Sequence, residues 1–225
     1  MRGAAALSRR HHARPLSLPP ARNKSLSHAR FLAAAPSRYP FSIVDGKYIT
    51  GHSDDKAAGV LDLNMGSIPI LYVDGKAVLG QSRAIERFLS KHFGLMGSSD
   101  IEAGQVDMWT EHVRDVLDKY QKAKASGGDD GAAKWMAEDL PDLLKKLEKV
   151  IALTSTAPGC TVGGKLSLAD VKLYMAMADY FDEKYKETVI SAVKEHAPHI
   201  AAVVDSVGSH EKVKAWLAER PVTPF

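Results

Sequence analysis

The segment from Gly66 to Leu89 leaves this chain little conformational choice. Ile70–Leu71–Tyr72–Val73 is a short apolar, β-prone run closed by Asp74–Gly75, the pair that favours a two-residue hairpin turn, and Ala77 to Leu79 supplies the returning strand. Pro69 has no N–H to give a ladder, so it is tolerated only at the first residue or the edge of a strand, and the strand must begin here. From Ser82 the apolar residues fall at Ile85, Phe88, Leu89 and Phe93, one face of a 3.6-residue period, and Gly94 stands where a helix C-cap belongs. The spacing therefore predicts a hairpin that feeds straight into a helix.

A helix start exposes backbone N–H groups and a partial positive charge, so a carboxylate can dock there. Gln81 and Ser82 add side-chain donors beside it. A cis Ile68–Pro69 bond is open to this sequence, and it would turn the Ile68 backbone N–H and C=O outward toward an extended peptide-like ligand. Taken alone, Ser82 also reads as a plain helix N-cap and Pro69 as a strand-start proline.

The run Ile68–Pro69–Ile70–Leu71–Tyr72–Val73–Asp74–Gly75–Lys76, then Gly80–Gln81–Ser82, Ala84–Ile85, Phe88–Leu89 and Phe93–Gly94–Leu95, closely resembles the glutathione transferases, especially the sigma-like branch. The likeness extends from about Phe41 to Phe225. In that family the proline is cis, the residue before it pairs with the cysteinyl backbone of glutathione, and a Gln–Ser pair holds the γ-glutamyl carboxylate. By resemblance these roles fall to Pro69, Ile68, Gln81 and Ser82, with Ser67 at the position where the family usually has Gln. Lys47 and Lys56 occupy the polar loop Asp45–Lys56, where the family places basic residues on the glycyl carboxylate; each also reads as a solvated surface lysine.

Charge is unevenly distributed along the 225 residues. Arg2, Arg9, Arg10, Arg14, Arg22, Lys24, Arg30 and Arg38 precede Asp45, the first acid, so the chain beyond is net acidic although the total is +3. Met1 to Pro20 is rich in Ala, Arg, Ser, Leu and His, the composition of an organelle transit peptide and equally of a disordered tail. The expected location is the cytoplasm, or a mitochondrion or plastid if this leader is a transit peptide. No basic face interleaved with aromatics supports a nucleic-acid partner. No apolar run reaches the roughly 18 residues of a membrane span. Cys160 is the single cysteine, which excludes an intramolecular disulfide, and no metal-ligand spacing surrounds it or His52.

The N-terminal region departs from the family. Its members begin with a thioredoxin-like unit whose first strand ends at a Tyr, Ser or Cys that faces the glutathione sulfur. No first strand is recognisable here. Aligning Arg30 with the arginine usual in the first helix puts the catalytic position near Ser17 to Pro20, so Ser17 and Ser25 are the candidates for thiol activation; both also read as loop or cap serines. Tyr39 belongs to a strand candidate, Tyr39 to Val44, and Tyr48 to the polar loop, so neither is expected to activate the thiol. Ser25 to Ala35 reads as a helix stopped by Pro36.

Beyond Gly97 the pattern is helical throughout. Ser99 and Glu102 form a capping-box pair, and Val106, Trp109, His112, Val113, Val116, Leu117 and Tyr120 recur at three and four residues up to the Gly127–Gly131 loop. In sigma-like members an aspartate at the spacing of Asp107 reaches across the dimer to the glutathione amino group, a role the resemblance carries to Asp107. Trp109, His112 and Tyr120 are the side chains expected along the pocket for a hydrophobic electrophile. Ala132 to Leu153 is helical with a kink or break forced by Pro141; Ser167 and Asp170 cap the next helix and are assigned to stability. Three further helices are expected over Thr188–Lys194, Pro198–Val207 and Glu211–Ala218.

The fold class is thus α/β plus all-α: a basic leader at 1–20, a thioredoxin-like glutathione-binding domain at 21–96 with its first strand missing or altered, and an all-helical domain at 97–225. The resemblance implies a homodimeric transferase with glutathione as co-substrate, no further cofactor and no metal, adding the thiolate to hydrophobic electrophiles or isomerising a lipid peroxide. The alternative is a non-catalytic binder of glutathione or hydrophobic ligands on the same fold.

Overall fold

The computed structural model describes residues 41–44, 56–73 and 76–219. The leader, the helix expected over Ser25 to Ala35, and Ser17, Ser25, Tyr39, Lys47 and Tyr48 lie outside the described residues. Three strands, β1 (Phe41–Val44), β2 (Ile70–Val73) and β3 (Lys76–Gly80), form one antiparallel sheet in that order. β1 pairs Phe41 with Val73 and Val44 with Ile70, and the hairpin β2–β3 pairs Ile70 with Gly80 and Leu71 with Leu79 before an irregularity at Leu71/Tyr72. Helix α1 (Ser82–His92) follows β3 directly, as the hairpin-to-helix pattern predicts.

Ile85 and Leu89 of α1 and Leu71 of β2 are almost fully buried in one hydrophobic core. Each contributes about 1.5–3 kcal/mol relative to exposure, which is what holds α1 to the hairpin. The C-terminus of α1 closes as a Schellman motif: Gly94 takes φ +71, Leu95 N–H donates to the Ser90 carbonyl at 2.7 Å and Gly94 N–H to Lys91 at 3.3 Å. The Leu95 carbonyl then accepts from Leu168 N–H at 2.8 Å, tying the end of α1 to the helical half.

That half contains α2 (Asp100–Lys134), α3 (Leu140–Thr154), α4 (Leu168–Met175), α5 (Lys186–His196), α6 (Pro198–Ser209) and α7 (Glu211–Glu219). The glycine-rich loop expected at 127–131 is a local break in an otherwise continuous α2, where Gly128 takes φ 59 and ψ −140. Pro141 is absorbed by a π-helical turn, Trp135–Asp139, ahead of α3, where it sits in the first turn and needs no N–H partner. At the start of α2, Ser99 Oγ accepts from Glu102 N–H as expected, but the Glu102 carboxylate returns to Ser98 N–H at 2.5 Å, one residue before the cap.

The mixed sheet-and-helix first half and the helical second half match the fold class read from the sequence. The core of the second half runs along α2: Val106, Trp109, Val113, Val116 and Tyr120 all face inward. Trp109 donates its indole N–H to Thr154 Oγ1 at 3.0 Å, and Tyr120 packs edge-on to Trp135 and Phe181.

Candidate functional site

The hairpin register brings the two halves of the expected site together. Because Ile70 pairs with Gly80, the segment that ends at Pro69 and the segment that begins at Gln81 leave the hairpin at the same end. The Ile68–Pro69 peptide is cis. Pro69 is buried, Ile68 half-buried and Ser67 exposed, with Ser67 N–H held by the Asn64 carbonyl at 3.0 Å.

Gln81, not Ser82, is the N-cap of α1. It takes φ 69 and ψ 117, a backbone region that favours glycine, and no side chain caps the helix start. Ser82 is the first helical residue and is half-buried, while Gln81 is exposed. The first N–H groups of α1 thus have no side-chain cap, the helix start carries the positive end of a dipole with no acid in the first turn, and the Gln81 amide and the Ser82 hydroxyl are donors beside it. Such a corner can accept a carboxylate.

Lys56 packs close to the start of the Ser67–Pro69 segment. Its stem crosses Gly66 so closely that a Cβ at Gly66 would stand 2.8 Å from Lys56 Cε. The exposed Lys56 side chain thus runs against Gly66, the residue before Ser67.

Asp107 is engaged within its own chain: Oδ1 accepts from Arg87 Nε at 2.7 Å, and Arg87 Nη2 bonds Glu111 Oε1 at 3.1 Å. Glu111 also pairs with Arg114. The hydrogen bond that Arg87 donates to Asp107 pushes its guanidinium above its usual pKa, so it is charged at every working pH. Arg87 is absent from the sequence reading, although Asp107 and Glu111 four apart on one helix face repel and call for a cation from elsewhere.

Between α1, α2 and α4 lies a cavity of about 220 Å³ with Ser82 on its wall and Arg87, Thr110, Arg114, Leu117 and Lys172 around it. Lys172 Nζ reaches the nearly sealed Glu86 carboxylate at 3.0 Å, joining α4 to α1. Burial pushes the Glu86 carboxyl up in pKa, against the pull of Lys172. Trp109 and Tyr120 do not line a pocket: they are 0% and 1% exposed, closed into the core because the apolar stripe of α2 faces α3 and α4. His112 is half-buried and stands edge-on to Trp109.

Ser167 and Asp170 form a fully buried cap. Asp170 accepts from Thr161 N–H at 2.6 Å, Thr161 Oγ1 at 2.7 Å, Ser167 N–H at 2.7 Å and Ser167 Oγ at 2.8 Å. Burial raises the Cys160 thiol, so this cysteine is a poor nucleophile. Among the described residues no group of His, Cys, Asp and Glu is placed to hold a metal, and no helix is long and apolar enough to cross a membrane.

Comparison with known proteins gives this geometry its family. The profile of the glutathione S-transferase C-terminal domain matches residues 106–220. Glutathione S-transferase S1 of Drosophila melanogaster is 33% identical over 196 residues, covering 84% of this chain and 75% of the relative. A glutathione S-transferase of Anopheles gambiae is 35% identical over 163 residues, 71% of this chain and 76% of the relative. Among solved structures, the monomeric glutathione S-transferase Na-GST-3 of the hookworm Necator americanus superposes with a TM-score of 0.65 at 25% identity, over 89% of this chain and 94% of that one. This chain belongs to the glutathione S-transferase family.

Proposed function

We propose that this transferase binds glutathione in an extended form along Ile68–Pro69 and delivers its thiolate to a hydrophobic electrophile. The observation that supports the reading is the Ile70–Gly80 pair, which brings the segment before β2 and the uncapped start of α1 to the same end of the hairpin. The γ-glutamyl carboxylate goes to Gln81, Ser82 and the α1 N–H groups, the cysteinyl backbone to Ile68, with Ser67 and Pro69 shaping the edge, and the glycyl carboxylate to Lys56. The domain division at 96/97 leaves these contacts in the first unit. Glutathione enters as co-substrate, with no other cofactor.

Thiolate, not thiol, attacks electrophiles. Lowering the thiol pKa by about two units from about 8.5, roughly 2.7 kcal/mol, raises the thiolate fraction at pH 7 from about 3% to about 75%. The group that does so belongs to the segment leading into the helix read over Ser25 to Ala35, with Ser17 and Ser25 or the backbone N–H groups of that helix start as candidates, and not to Tyr39 or Tyr48. Asp107 has Oδ1 on Arg87, and its other oxygen serves the glutathione amino group of a second subunit in a two-fold dimer. Sedimentation at micromolar concentration tests the dimer; a monomer removes the role of Asp107 in trans.

The deciding experiment measures conjugation of glutathione to a chromogenic aryl halide beside a titration with glutathione alone. Saturable binding with turnover is expected. Binding without turnover withdraws the transfer step, and absence of binding withdraws the site.

A further inference from the structure

One side chain touches both halves of this corner, and it belongs to neither. Asn64 is 4% exposed and closes the 3₁₀ turn Asp62–Asn64 just ahead of Ser67. A buried primary amide has to place its donors or lose stability, and Asn64 Nδ2 donates to the Pro69 carbonyl at 3.1 Å. Its backbone carbonyl holds Ser67 N–H at 3.0 Å. The Ser67–Ile68–Pro69 segment is thus gripped at both ends by one residue.

The other flank of the same side chain lies on Gly80. A Cβ at Gly80 would stand 2.6 Å from Asn64 Cβ and 2.7 Å from its Cγ and Oδ1. Gly80 is not among the glycines with positive φ, so it is required here for space and not for conformation. It ends β3, and the next two residues are Gln81 and Ser82. The β2–β3 ladder is irregular at Leu71/Tyr72, so Asn64 supplies a second tie at the Pro69 end of the hairpin.

We propose that Asn64 is a positioning residue of the glutathione site: through Pro69 and Gly80 it sets the distance between the edge that takes the cysteinyl backbone and the helix start that takes the γ-glutamyl carboxylate. This rests on the glutathione reading above. Asn64 does not touch the ligand. It matters most to a ligand that must be held at both points at once, and therefore to glutathione and not to the electrophile.

The test uses the full chain and S-methylglutathione, whose blocked sulfur keeps thiol titration out of the measurement. Asn64→Asp keeps the shape but sets a carboxylate oxygen against the Pro69 carbonyl, so the dissociation constant is expected to rise about tenfold at pH 8. It should recover as pH falls and the buried carboxyl takes up a proton that it can donate to Pro69. In turnover the same variant should raise KM for glutathione while kcat and KM for the aryl halide stay within about twofold. A folded Asn64→Asp protein with unchanged affinity, or a loss with no recovery at low pH, overturns the proposal.

The packing half is tested by exchange, which also serves if Asn64→Asp fails to fold. Gly80→Ala alone should weaken binding about as much as Asn64→Gly, whereas Gly80→Ala should cost less than about twofold when Asn64→Gly has vacated the space. Losses that simply multiply overturn it. Ser82→Ala separates the two levels: unchanged affinity there withdraws the glutathione corner itself, while a loss there with none in the Asn64 and Gly80 variants withdraws only Asn64.

Discussion

Two helices of this molecule start in opposite ways. α4 opens with Ser167 and Asp170, both sealed from solvent, and every oxygen of Asp170 is engaged by Thr161 or Ser167. α1 opens with Gln81 in a backbone region that favours glycine, exposed and without a side-chain cap. Both starts carry the same unpaired N–H groups and the same positive end of a dipole. At α4 the chain supplies its own carboxylate to the helix start; at α1 it supplies none, and that is the start proposed to take a carboxylate of glutathione.

The largest effect is expected at the closed start. Asp170→Ala strands two backbone N–H groups and two hydroxyls in the core, a loss of more than about 3 kcal/mol read from chemical denaturation. Affinity for glutathione in the protein that remains folded should be unchanged. A matching loss of affinity would mean that the two starts are coupled and the contrast between them is false.

Next comes the open start. Ser82→Ala should leave the midpoint of unfolding within about 0.5 kcal/mol and weaken glutathione binding by about 1–3 kcal/mol, the scale of a hydrogen bond to a charged group. Calorimetric titration reads both the affinity and the fraction competent to bind. A stability loss without a binding loss would make Ser82 an ordinary helix residue.

Between the two starts lies the Glu86–Lys172 pair that joins α1 to α4. Burial raises the Glu86 carboxyl above its unfolded value, so the folded chain holds that proton to higher pH. The corresponding stability is fully present below the ordinary glutamate pKa and is lost as pH rises through the raised one. Glu86→Gln removes this titration. The natural chain should therefore lose stability relative to Glu86→Gln as pH is raised from 4 through that range. A difference that does not vary with pH would show that Lys172 fully offsets the burial of the carboxylate.

The hairpin, α1 and the long helical stripe were legible because their signals are local: a turn pair, a period, a proline at a strand start, a glycine after the last apolar residue. The cap at Ser167 and Asp170 was legible for the same reason, but its two Thr161 donors were not, since they arrive from a loop nine residues away. Asn64 and Arg87 escaped for a related reason. A polar residue in a short turn and an arginine on a helix look solvated in sequence, and only the tertiary fold sets one against Pro69 and Gly80 and the other against Asp107 and Glu111. Trp109 and Tyr120 erred in the other direction: amphipathic spacing told that they face inward, not whether inward meant a pocket or a core.

The smallest effect is the most direct comparison of the two starts, because it asks what the open one costs. Gln81 sits at φ 69, where a Cβ crowds the backbone and glycine does not. Gln81→Gly should relieve that crowding and also loosen the unfolded chain, two opposing terms of similar size. The net change in stability is expected to be a gain of no more than about 0.5–1 kcal/mol. Binding should move the other way if the Gln81 amide donates to the γ-glutamyl carboxylate as proposed, and the glutathione dissociation constant should then rise about fivefold or more. Thermal unfolding and a glutathione titration on the same sample give both numbers. A variant less stable than the natural chain would show that the Gln81 side chain holds the turn together, and the open start of α1 would then be a structural feature like its closed counterpart at α4.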